Sequence, residues 1–152
     1  MKKITPFLWF DTQAEEAMNF YISIFKNSKV LNIAPGQNGI ASTVSFELEG
    51  QEFIALNAGP HFKFNEAISM FVNCQTQEEV DELWNKLTAD GGEESQCGWL
   101  KDKYGLSWQI VPSALGELLG DKDAEKANRV LQAMLQMKKI DIKMLKQAYE
   151  GK

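Results

Sequence analysis

The chain has 152 residues, 44% of them hydrophobic, which suits one domain with a sizeable core. Sixteen basic and 21 acidic residues leave a formal net charge of −5, and no lysine- or arginine-rich block is present to neutralise a run of phosphates. Nucleic acid is therefore not an expected partner, and neither is a membrane, because no apolar stretch is long enough to span a bilayer.

The first segment, "MKKITPFLWFDTQAEEA", has a short apolar run that ends at Asp11 with no small-residue cleavage site after it, so it does not read as a secretory leader. "ITPFLWF" reads as a strand. A helix starts near Thr12, a plausible cap for an acidic first turn, and places Ala17, Phe20, Tyr21 and Ile24 at the i, i+3, i+4, i+7 spacing of one buried face. Strands follow in "KVLNIAP" (29–35), "IASTVSFELEG" (40–50) and "QEFIALNAG" (51–59), the last two joined as a hairpin at Glu49-Gly50-Gln51.

"GPHFKFNEA" (59–67), which holds the single histidine, His61, reads as a connecting loop. "ISMFVNCQTQ" (68–77) is then a strand. A second helix, capped by Thr76, buries Val80, Leu83, Trp84 and Leu87 and ends at Gly91-Gly92. "ESQCGWLKD" (94–102) and "LSWQIVP" (106–112) make a second hairpin whose turn carries Asp102 and Gly105, ordinary turn chemistry. In the tail, Ala127, Val130, Leu131, Met134 and Met137 form one helical stripe that suits packing, and Asp141 caps a last helix through Tyr149.

The chain repeats itself. "ITPFLWFDTQ" (4–13) aligns on "ISMFVNCQTQ" (68–77), and "EEAMNFYISI" (15–24) on "EEVDELWNKL" (78–87) after one skipped residue. Two βαβββ modules are predicted, 1–59 and 67–112, with a connecting loop at 60–66 and C-terminal helices at 113–152. The second module is one strand short on this pattern, leaving a sheet edge to be irregular or covered by a partner, so a homodimer is expected.

A repeated βαβββ unit of this length resembles the vicinal oxygen chelate superfamily, which includes glyoxalase I, extradiol dioxygenases and bleomycin-binding proteins. "ITPFLWFDTQAEEAMNFYISIF", "AISMFVNCQTQEEVDELWNKL", "CGWLKDKYGLSWQIVP" and "VLQAMLQMKKIDIKMLKQA" are similar to its PhnB-like branch, labelled 3-demethylubiquinone-9 3-methyltransferase. The resemblance implies an α+β fold in which the two modules form a cupped mixed β-sheet around a cavity. Metal-using members carry histidine or carboxylate ligands at four positions on its inner face.

Alternation along the strands identifies what stands there in this chain. Thr5, Phe7 and Trp9 are inward on the first strand, and Phe53, Ala55 and Asn57 on the strand at 52–57. About the strand at 68–72, Ala67, Ser69 and Phe71 are inward, with Ile68, Met70 and Val72 toward the helices. On 106–112, Ser107, Gln109 and Val111 face inward, with Trp108 and Ile110 toward the helices. Thr5, Asn57, Ala67 and Gln109 would thus occupy the ligand positions, and hydroxyls and amides hold transition metals weakly. No metal and no cofactor are expected.

The candidate ligand-binding residues are Thr5, Phe7, Trp9, Asn57, Ser69, Phe71, Cys97, Trp99 and Gln109, with the tryptophans stacking on a flat ligand and the amides bonding its polar edge. No catalytic residue is assigned. No histidine lies within the hairpin of Cys97 to serve as its base, and His61 beside Glu66 is the one candidate for a general base. With Cys74 and Cys97 outside any C-x-x-C pair, a cytoplasmic protein with two free thiols is expected. The expected function is binding of a small aromatic or oxygen-rich molecule. The alternatives are a metal-dependent lyase or oxygenase of the superfamily, or a methyltransferase. For the last, the glycines at 36, 39, 50 and 59 fall in hairpin loops rather than in a glycine-rich turn after a strand.

Overall fold

The computed structural model describes residues 2–152 and divides into two compact units, one running to Phe64 and the other Asn65–Lys152. The first unit contains β1 (Phe7–Phe10), α1 (Ala14–Ile24), β2 (Ser28–Ala34), β3 (Thr43–Leu48) and β4 (Gln51–Asn57). Its four strands lie in the order β1-β4-β3-β2, with β1 parallel to β4 and the other pairs antiparallel. Glu49 and Gly50, at φ 48° and 86°, form the two-residue turn between β3 and β4, and the positive φ at both positions matches the right-handed twist of the strands.

Helix α1 buries Ala14, Ala17, Met18, Tyr21 and Ile24. The sheet face that carries Leu8, Phe10, Val44, Phe46, Leu48, Phe53 and Ala55 is buried as well, and Phe46 stacks on Phe53 with ring centroids 5.4 Å apart. Thr12 does not cap this helix. Asn57 Oδ1 accepts from the Ala14 N–H at 2.8 Å, so the first turn is satisfied from β4 rather than locally.

The second unit holds β5 (Ser69–Cys74), α2 (Gln77–Thr88), β6 (Glu93–Glu94), β7 (Trp99–Lys101) and β8 (Ser107–Pro112). It continues with α3 (Ser113–Leu119), α4 (Ala124–Leu135) and α5 (Ile142–Tyr149). The sheet order β5-β8-β7-β6 repeats that of the first unit. The second module is therefore not short of a strand: β6 is present but only two residues long, paired to β7 through Glu93 and Glu94, which is too brief to leave a hydrophobic pattern in the sequence.

Helix α2 is capped by Thr76, whose Oγ1 accepts from Glu79 N at 3.2 Å, while the Glu79 carboxylate accepts from Gln75 N at 2.8 Å. It buries Val80, Leu83, Trp84 and Leu87, and Trp108 and Ile110 of β8 are buried too. Ile68 is an exception to the alternation, since β5 starts after it and its side chain is 59% exposed.

The tail helices have their own core of Leu115, Val130, Met137, Ile140 and Leu145, which Val111 joins. Val111 thus packs under the tail rather than lining an open face. Asp141 caps α5 by accepting from Met144 N at 3.0 Å. Among the described residues, no helix is long and apolar enough to cross a membrane.

Candidate functional site

Register places the candidate residues on definite sheet faces. In the first unit, Phe7 pairs with Ile54 and Trp9 with Leu56, so these four share the face opposite α1. Phe7 is 57% exposed there. Trp9 is fixed by its indole N–H, which donates to Gly59 O at 2.8 Å, and by Phe62, whose ring meets it edge-on at 4.8 Å. His61 approaches the same indole edge-on at 6.5 Å.

Two expected members of this face are elsewhere. Asn57 pairs in register with Phe10, so Phe53, Ala55 and Asn57 point to the helix side, and the Asn57 amide is committed to structure. Its Oδ1 holds the start of α1, and its Nδ2 donates to Ala41 O at 2.9 Å. The expected facing of this strand is reversed because "FIALN" is apolar on both sides, and alternation alone cannot tell which set meets a helix. Thr5 precedes β1 and its hydroxyl donates to Lys2 O at 3.5 Å, a local turn contact.

In the second unit, the unshifted register of β5, β8 and β7 builds two rows on one face. Phe71, Gln109 and Trp99 form the first row, and Ser69, Ser107 and Lys101 the second. Gln109 Nε2 donates to Ser69 Oγ at 2.9 Å, a bond that joins the rows and orients the amide. Phe71 is 61% exposed and Trp99 half-buried, so the polar pair is framed by apolar surface. The ion pair of Lys101 with Glu66 stands at the end of the second row. The hydrogen bond from Lys101, with its charge, holds the Glu66 carboxyl below its ordinary value, and the same bond raises the Lys101 ammonium.

Of the expected residues, the structure brings Ser69, Phe71, Trp99 and Gln109 together on this face. Lys101 belongs with them, and two-residue alternation from Trp99 was the signal for it. Cys97 precedes β7 at φ 59°, and its backbone N–H donates to Met137 O at 2.8 Å, so this corner is tied to the tail. Ala67 is exposed and lies outside β5.

Among the described residues, no group of three His, Cys, Asp or Glu side chains is placed to hold an ion. On the second sheet the face away from Trp108 and Ile110 shows hydroxyls, an amide and an ammonium, and Glu66 is paired with Lys101.

Comparison with known proteins agrees with this architecture. Residues 2–111 match the family described as 3-demethylubiquinone-9 3-methyltransferase. The PhnB protein from Bacillus cereus, named for the same activity, is 37% identical, with a TM-score of 0.69 over 74% of this chain and 100% of its own. Protein PA1353 from Pseudomonas aeruginosa is 16% identical, with a TM-score of 0.62 over 74% of this chain and 98% of its own. The fosfomycin resistance protein FosX from Listeria monocytogenes, solved with Mn(II) and sulfate, is 19% identical, with a TM-score of 0.53 over 71% of this chain and 90% of its own. These last two show likeness of fold. No curated protein matches the chain.

Proposed function

Since this chain belongs to the 3-demethylubiquinone-9 3-methyltransferase family, in the PhnB-like branch of the vicinal oxygen chelate superfamily, we propose that it binds a small organic molecule on the strand faces that its helices α1 and α2 leave uncovered. The ligand is aromatic or oxygen-rich and is held without a tightly bound metal or a cofactor. One observation carries this: the Gln109–Ser69 hydrogen bond of 2.9 Å sits between half-buried Trp99 and exposed Phe71 on the face away from buried Trp108 and Ile110. An apolar frame with a few oriented polar groups is the usual make-up of a small-molecule site.

The chain is read as a cytoplasmic homodimer. β1 and β5 stand at the ends of their sheets, and each carries an exposed phenylalanine, Phe7 and Phe71. Apolar edges of this kind need cover. Light scattering should give about twice the chain mass of 17.2 kDa, and a clean monomer overturns this part.

The binding experiment is a screen of neutral aromatic and quinone-like compounds. Those that bind should quench tryptophan fluorescence and raise the melting temperature together. Gln109→Ala should weaken the best of them by about 1–2 kcal/mol with the fold intact. If no compound does both, or if Gln109→Ala binds as well as the parent, the site assignment fails. Elemental analysis showing about one Zn, Ni, Mn or Fe per chain without added metal would overturn the metal-free reading.

A further inference from the structure

The second row on the β5–β8–β7 face contains an anomaly. Ser107 is 1% exposed, and its Oγ is a buried side-chain oxygen with no hydrogen-bond partner. Buried hydroxyls are nearly always paired, so an orphan calls for an explanation. Its neighbours in register are Ser69 on one side and Lys101 on the other, both on the same face. Neighbouring strands lie about 4.7–4.9 Å apart, so three side chains opposed in register on one face can meet one small group.

We propose that Ser69, Ser107 and Lys101 form an oxyanion subsite for the carboxylate of a flat ligand, whose ring lies on the neighbouring row between Phe71 and Trp99. This rests on the ligand-binding reading above and names the ligand class: an aromatic carboxylate. Glu66 already shows what Lys101 binds, because its own carboxylate is paired there. A ligand carboxylate exchanges with Glu66 on the ammonium and supplies the acceptor that the Ser107 hydroxyl lacks. A single charge suits the row. It offers one cation in a chain of net charge −5, so a dianion would be left undercompensated. Gln109, with Nε2 donating to Ser69, keeps its Oε1 toward the ring edge for a hydroxyl or amine substituent.

The test compares benzoate with benzamide, which has the same shape and no charge, by titration calorimetry and by amide and indole NMR shifts on the full chain. Benzoate should bind at least about tenfold more tightly, since charge-assisted hydrogen bonds are about twice as strong as neutral ones. Lys101→Met should erase that preference. Glu66→Gln should strengthen benzoate by removing its competitor. Ser107→Ala should weaken benzoate several-fold while leaving the melting temperature unchanged or raised, an outcome that a merely structural hydroxyl would not produce. Equal binding of benzoate and benzamide, unaltered by Lys101→Met, overturns the oxyanion subsite and leaves the ligand-binding face standing. If neither compound, up to about 10 mM, shifts the Trp99 or Gln109 signals, both readings fall.

Discussion

Trp108 Nε1 donates a 2.9 Å hydrogen bond to Asp102 Oδ2, and both side chains are buried. The other carboxylate oxygen accepts from Tyr104 N at 2.9 Å and Leu106 N at 3.1 Å. One carboxylate therefore closes the turn between β7 and β8 and fastens it to the core indole. Asp102 is a builder of the hairpin rather than an acid or base for chemistry. Asp102→Ala would strand these three donors, and at roughly 1–3 kcal/mol for each unsatisfied group, partly relieved by water, the expected loss is about 3–5 kcal/mol. Urea unfolding measures it, and a loss under about 1 kcal/mol would contradict this role.

Asn57 and Gln109 make a matched pair of opposite predictions. Asn57 joins the start of α1 and the Ala41 carbonyl, so Asn57→Ala should lower stability by about 1–3 kcal/mol and leave ligand binding unchanged. Gln109→Ala should do the reverse. A thermal melt and a binding isotherm on each variant decide it; weakened binding with full stability in Asn57→Ala would return that residue to the site.

The buried Cys74 thiol should make stability depend on pH. Burial, followed by the charge and hydrogen bond of Glu79, pushes the Cys74 thiol from its ordinary 9.0 up to about 12. The thiol of the unfolded chain ionises near its ordinary 9.0, so between that value and about 12 the unfolded state binds fewer protons than the folded one. The stability contributed by protonated Cys74 is therefore complete below about pH 9 and is lost as pH rises toward the folded value. Cys74→Ala should flatten that alkaline decline in urea midpoints. A thiol reagent should modify half-buried Cys97 first and reach fully buried Cys74 only on unfolding.

Gln77 ties the tail to α2. Its Nε2 donates to Ile140 O at 3.0 Å and to Asp81 Oδ1 at 2.9 Å, while its Oε1 accepts from Ile142 N at 2.8 Å. Gln77→Ala should lower stability by about 1–3 kcal/mol and raise protease cleavage within 136–152. Arg129, which donates to Ala148 O and Tyr149 O, still holds the far end of α5, so the loosening should begin at Asp141. Protection of that segment equal to the parent would refute the tie.

The repeated module is legible in the sequence because helix periodicity and strand alternation are local patterns, as at Val80, Leu83, Trp84 and Leu87 in α2 and at Trp108 and Ile110 in β8. The sequence also marked Thr76 and Asp141 as caps, since a cap bonds within three residues of itself. What it could not decide was which face of an evenly apolar strand meets a helix, as in the Phe53–Asn57 run, or that Val111 would be claimed by a tail core built from residues 115–145. Those outcomes depend on register with β1 and on packing by helices that follow later in the chain. Alternation states that a strand has two faces; only the element that settles on one of them determines which is buried. The unpaired Ser107 hydroxyl is of the same kind, because a partner can be found missing only after the neighbours on β5 and β7 are in place.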